Sequence, residues 1–113
     1  MTNEAILDKI TATPTLEVFQ SMLSQTLDVD ASAEVIPASN LTNRKAVLVQ
    51  NKSSSANVYL GSSSAVTADT DNTTTGGYKL APGNSVFMTI DGSVTLYVIS
   101  DTADTGVAII EFA

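Results

Sequence analysis

The 113-residue chain contains no histidine, no cysteine and no tryptophan. Each absence removes a kind of chemistry. Without Cys there is no disulfide framework and no thiolate nucleophile, which fits synthesis in a reducing cytoplasm. Without His or Cys, the Ser-His and Cys-His nucleophile pairs and the ordinary zinc sites are excluded. Positive charge is scarce too, with five Lys and Arg against twelve Asp and Glu for a net charge of −7. Arg44 and Lys45 are adjacent, but Lys9, Lys52 and Lys79 stand alone, so no basic stripe exists to neutralise phosphates. Direct nucleic-acid binding and attachment to an anionic membrane are not expected. No apolar run approaches the roughly 20 residues that span a bilayer. The opening MTNEAILDKI lacks the basic start and long apolar core of a signal peptide, so a soluble product made in the cytosol is expected.

What the chain does have is apolar content: 43% hydrophobic residues and only 15% charged ones. That balance indicates a globular chain of one-domain size rather than a disordered one. So little charge also suits a surface that is partly buried against neighbours. From Arg44 to Ala113, apolar segments of strand length recur, each closed by Gly, Ser, Asn, Asp or Pro, the rhythm of an all-β sandwich. Strands are expected at about 44–51, 56–61, 77–80, 85–90, 94–100 and 106–112. Lys52–Ser55 is read as the close of a first hairpin and Asp91-Gly92 as a type I′ hairpin turn. Pro82-Gly83-Asn84 suits a tight turn in which Gly takes a positive φ.

The first 43 residues differ. Ile6, Leu7 and Ile10, and again Leu16, Phe19, Met22 and Leu23, recur at helical spacing. Thr13-Pro14 suits a helix start, which predicts helices near 3–10 and 14–26. A polar connector follows, with Val35-Ile36-Pro37 as a short edge strand. The expected fold is mainly β: a short helical arm and connector over 1–43, then an antiparallel, jelly-roll-like β-sandwich over 44–113.

The strands at 94–99 and 107–112 are apolar on both faces, whereas a sheet with one wet face alternates cleanly. Something is therefore expected to cover an outer face: the N-terminal helices, a second subunit, or some of each.

The remaining polar candidates are weak. Asp69 with Asp71, and Asp101 with Asp104, are the closest loop acids, but a glycosidase needs two carboxyls facing across a cleft. Asp28-Val29-Asp30 and Asp69-Thr70-Asp71-Asn72 alternate carboxylates as calcium loops do, without the Gly and distal Glu of an EF-hand. Neither a metal nor a cofactor is expected. Tyr59 and Tyr97 lie in strands, where packing is the commoner role. The long Ser62–Gly76 loop is of a kind that is commonly functional or mobile.

Several segments follow one another in a recognisable order. They are Arg44-Lys45, the strand ending at Gln50-Asn51, Val58-Tyr59-Leu60-Gly61, Val66-Thr67, Gly77-Tyr78-Lys79-Leu80-Ala81-Pro82-Gly83, Leu96-Tyr97-Val98-Ile99 and Val107–Phe112. This order resembles the small β-sandwich domain of many tailed-bacteriophage structural proteins, including capsid decoration (cement) proteins and head or tail fibre components. The resemblance spans the last 70 or so residues and implies a non-catalytic virion protein, made in the host cytoplasm, that adheres to the major capsid protein. It further implies a homo-oligomer, a trimer at a threefold capsid position. The partner-contact candidates are Leu16, Phe19, Met22 and Leu23 with Ile36 on the connector, and these residues would equally serve as core. A host-facing fibre or baseplate module is the alternative, binding surface glycan through the Ser62–Gly76 loop and Tyr78. An enzyme using Asp69 or Asp101 is the least supported reading.

Overall fold

The computed structural model describes residues 18–68 and 75–113. The expected helix near 3–10, Leu16, and the pair Asp69 and Asp71 lie outside the described residues.

Eight strands follow one another: β1 (Met22–Val29), β2 (Glu34–Ile36), β3 (Ala46–Asn51), β4 (Val58–Gly61), β5 (Tyr78–Leu80), β6 (Ser85–Met88), β7 (Leu96–Ser100) and β8 (Thr105–Phe112). They form two antiparallel four-stranded sheets, sheet A in the order β1-β8-β3-β6 and sheet B in the order β2-β7-β4-β5. The pairings nest around one hairpin. β4 pairs with β5, β3 with β6, β2 with β7 and β1 with β8. One long antiparallel ribbon is thus rolled so that successive pairs fall on alternate sheets, the winding of a jelly roll. The β3–β8 and β4–β7 contacts close each sheet.

The core lies between the sheets. Val29, Val47, Val49, Val107 and Ile109 project from sheet A against Ile36, Val58, Leu60, Leu80, Leu96 and Val98 from sheet B. β-branched residues dominate, as suits strands whose stiff side chains pack on a pleated surface.

The strands expected from Arg44 onward fall within two residues of the observed ones, and the connector's short edge strand is β2. The segment expected as a helix over 14–26 is different. Among the described residues there is no helix, and Met22–Val29 forms a strand paired along its whole length with β8. Leu23, Gln25, Leu27 and Val29 turn inward, a period of two hidden beneath the helical spacing of Phe19, Met22 and Leu23. An eight-residue ladder on an apolar neighbour outweighs the propensity of a short helix, which needs packing to persist. β1 and β2 are integral to the two sheets, so the sandwich extends back into the segment read as arm and connector.

Two turns also differ from expectation. β3 and β4 lie in different sheets, as do β6 and β7. Lys52–Ser55 and Asp91-Gly92 are therefore crossovers between layers rather than hairpin turns. In the second, the Ser93 N–H and hydroxyl both donate to the Asp91 carboxylate, and Val94 N–H donates to Asp91 C=O at 3.2 Å. Gly83 does take a positive φ, 80°, in the tight turn where Asn84 N–H donates to Ala81 C=O.

The crossovers are held by buried polar side chains. Asn51, fully buried, donates from Nδ2 to the carbonyls of Ala56 at 2.8 Å and Leu80 at 3.0 Å, and accepts from Ser53 N–H at 2.9 Å. At the opposite end Glu111 occupies an inward position of β8 and pairs with Arg44 at 3.2 Å, both side chains essentially inaccessible. Arg44 also donates to Asn40 Oδ1 at 2.9 Å and to the carbonyls of Asp91 and Val94 at 2.8 and 2.7 Å. Leu41 N–H donates to both Glu111 oxygens. One ion pair thus ties the 40–44 segment, the 91–94 crossover and β8 together.

Sheet B has a cover of its own. Tyr59, on its outer face, is only 2% exposed because Val66, from the loop after β4, folds over it with Gly77. A Cβ on Gly77 would stand 2.8 Å from both Tyr59 Cβ and Val66 Cγ2, and one on Gly61 would stand 2.5 Å from Val66 Cγ2. Within the described part of the Ser62–Gly76 loop, Val66 is thus the buried anchor, and Thr67 N–H donates to Thr75 C=O at 2.9 Å.

Gly77→Ala is expected to cost about 1–3 kcal/mol through overpacking at this contact, measured by urea denaturation. Glu111→Leu is expected to cost about 3–5 kcal/mol, because it strands a buried guanidinium. Arg44→Met combined with Glu111→Leu should then lose clearly less than the sum of the single changes, a coupling that the same denaturation series reads.

Candidate functional site

The outer face of sheet A is where the molecule departs from an ordinary soluble surface. On β8, Ala108, Ile110 and Phe112 alternate with the core residues and point outward. The register sets them in rows. Met22, Phe112 and Ala46 form one row, and Ser24, Ile110, Leu48 and Phe87 the next. Thr26, Ala108, Gln50 and Ser85 form a third and more polar row. Met22 is 64% exposed and Phe87 50%, while Phe112, Ile110 and Leu48 are half-buried.

Three phenyl rings run across this face. Phe19 lies 5.2 Å from Phe112 at a tilt of 33°, and Phe87 lies 6.0 Å from Phe112 edge-on. Both separations fall in the range where ring pairs attract beyond simple burial. An open groove of about 580 Å³ beside them is lined by Val18, Phe19, Gln20, Ser21, Met22 and Phe112.

The contact candidates separate in space. Phe19 and Met22 are on this face. Leu23 projects on the opposite side of β1, 40% exposed at the end of the sandwich. Ile36 is fully buried, faces Leu96 across the β2–β7 pair, and is not available to a partner. Phe87, Leu48, Ile110 and Phe112 were not among the candidates. The one signal for them was the two-sided apolar character of the last strand, which said that an outer face is covered without saying which neighbours share it.

The polar candidates resolve into structural roles. Asp101 accepts from Asn57 N–H at 3.1 Å, Asn57 Nδ2 at 3.0 Å and Thr102 Oγ1 at 3.1 Å. Desolvation works to raise its carboxyl, but these hydrogen bonds together outweigh it and hold the group below the usual carboxylate range. Asp104 has φ 57°, and its N–H donates to Asp30 Oδ1 at 3.2 Å. Among the described residues no three acidic side chains gather as a metal site would need. Glu34 is pushed up by partial burial and by the nearby charge of Asp30. Tyr97 is half-buried in β7, whereas Tyr78 is 61% exposed. Tyr78 stands at the rim of an apolar mouth of about 200 Å³ between the sheets, with Leu60, Met88, Val94 and Leu96. What the described residues offer is exposed apolar surface.

No protein-family model, curated protein or solved structure matches this chain.

Because its folded pKa is low, Asp101 contributes stability that is present above the ordinary carboxylate pKa of about 3.9 and is lost as pH falls through the folded value. Glu34 has the opposite sign: folding opposes its charge above its raised pKa and not below about 4.3. Asp101→Asn is therefore expected to lower Tm at pH 7, and Glu34→Gln to raise it. In thermal scans across pH, the Glu34 difference should close below about pH 4.3, while the Asp101 difference should shrink as pH falls below about 3.9.

Proposed function

We propose that this chain is a structural protein of a tailed-phage virion, a decoration or cement protein that stabilises the head by bridging subunits of the major capsid protein. The observation that carries the reading is the apolar outer face of sheet A, with Met22, Phe87 and Phe112 at its surface. A contiguous apolar patch of this kind marks an interaction surface. The ordered segments from Arg44 to Phe112 that resemble phage sandwich domains supply the choice of partner. The net charge of −7 and the lack of His and Cys fit adhesion better than acid–base or nucleophilic catalysis.

In this reading the sandwich is the rigid body and the outer face of sheet A is the surface buried in the assembly. Copies associate as a trimer at threefold positions of the shell, where a closed symmetric ring repeats one contact. Apolar burial supplies the adhesion, at roughly 25 cal/mol per Å² before the cost of association.

The fibre or baseplate reading rests on Tyr78, whose exposed ring beside Ser62 offers a stacking surface for a sugar. A glycan array separates the two: binding there without capsid binding supports the fibre module.

Purified protein added to expanded capsids that lack it is expected to co-sediment with them and to raise their resistance to heat. Phe87→Glu, on the outer face and away from the core, should weaken that binding about tenfold or more, since centrally buried aromatic residues dominate interfaces. Protein that neither sediments with capsids nor protects them overturns the proposal.

A further inference from the structure

We propose that β1 pairs antiparallel with β1 of a second copy of this chain, joining two copies of sheet A edge to edge about a twofold axis at Gln25. The contact uses the edge of the sheet rather than its outer face, so it stands whether or not that face docks on a capsid.

Four strands end the two sheets: β1 and β6 in sheet A, β2 and β5 in sheet B. A free edge is a template for another chain, and proteins blunt it with short strands, Lys or Pro. Three of these edges are blunted. β2 has three residues and runs into Pro37, β5 has three and carries Lys79, and β6 has four. β1 has eight, MLSQTLDV, with neither Lys nor Pro, and its register against β8 runs without a bulge.

The phase of the ladder fixes which groups that edge offers. Ser21 and Ala113 exchange both backbone hydrogen bonds, at 2.8 and 2.9 Å. The alternation of an antiparallel pair then turns the N–H and C=O groups of Leu23, Gln25, Leu27 and Val29 toward β8. Those of Met22, Ser24, Thr26 and Asp28 turn away from it, where no described strand lies.

Those four residues complement themselves. With the axis at Gln25, Ser24 stands opposite Thr26 of the second copy, and Met22 stands opposite its Asp28. Every outward N–H and C=O of the strand then has a mate. A shift of two residues either way sets one outward residue of each strand against chain beyond the strand end. In the centred register no acid faces an acid, and Ser24 and Thr26 can share a hydroxyl hydrogen bond. On the inward side Leu23, 40% exposed, meets Leu27 of the second copy. An unrelated strand would have to supply this match, whereas a second copy carries it already, as a twofold contact requires. The pairing continues the apolar outer face across eight strands, and two linked faces hold a repeating surface more tightly than one.

Charge placement tests the register as well as the contact. In sedimentation equilibrium the full chain is expected at twice the 11.7 kDa of one copy or, where a threefold contact also forms in solution, at twice the trimer. Ser24→Glu with Thr26→Glu sets acids opposite acids across the axis and is expected to halve that mass. Ser24→Lys with Thr26→Glu sets each Lys opposite a Glu and is expected to preserve it. A parent mass of one or three copies, or equal masses for the two variants, overturns the proposal.

The cysteine-free chain allows an independent measurement. Gln25→Cys places one thiol beside its own copy across the axis, at the non-hydrogen-bonded Cα separation of about 4.5 Å, within disulfide reach. Mild oxidation is expected to give a covalent dimer several-fold faster than with Ser54→Cys, on an exposed crossover. Equal rates overturn the inference. Dimers that fail to bind capsids would sink the docking reading and leave the edge contact standing.

Discussion

Strand β8 is apolar on both faces, and the rest of the molecule is arranged around that constraint. It sits between β1 and β3, so its inward residues Val107 and Ile109 help to fill the core while Ala108, Ile110 and Phe112 furnish the outer face. A strand of this kind needs burial twice. The sandwich provides the first by placing sheet B beneath it. On sheet B the equivalent need is met within the chain, by Val66 closing over Tyr59. On sheet A no described residue beyond Phe19 does the same. That asymmetry is what turns a small sandwich into a candidate adhesive.

Buried polar groups decide how the ribbon is rolled. Apolar packing alone is non-directional and would tolerate several ways of folding eight short strands. Asn51 at one end and Arg44 at the other find their carbonyl partners only when particular crossovers pass beside them. Their net contribution to stability is small beside the cost of breaking them, which is how buried ion pairs generally behave. We read them as determinants of register and crossover path.

The strands from Ala46 onward were legible because each carries a short apolar run closed by turn residues, and the Pro82-Gly83 turn because only Gly takes its φ at no steric cost. β1 was misread because Phe19, Met22 and Leu23 recur at a period of three or four, whereas the structure uses the period of two carried by Leu23, Leu27 and Val29. Asp91-Gly92 was misread as a hairpin because turn chemistry is local, whereas the sheet that the next strand joins is not. Ile36 was placed among contact residues because nothing nearby in sequence reveals Leu96, which covers it. Of the apolar outer face, only Phe19 and Met22 were legible. Phe87, Leu48 and Ile110 come from strands separated by tens of residues, and only the register sets them in one row.

By itself the sequence determined the class of fold, the excluded chemistries and the need for a covered face. These follow from composition and from periodicities that each segment carries within itself. Tertiary structure decided which strands share a sheet, which of the two faces is left apolar, and where the Arg44–Glu111 ion pair fastens the 91–94 crossover. Those outcomes depend on contacts between residues far apart in the chain, such as Arg44 with Glu111 and Leu48 with Phe87, and no local pattern encodes such a contact.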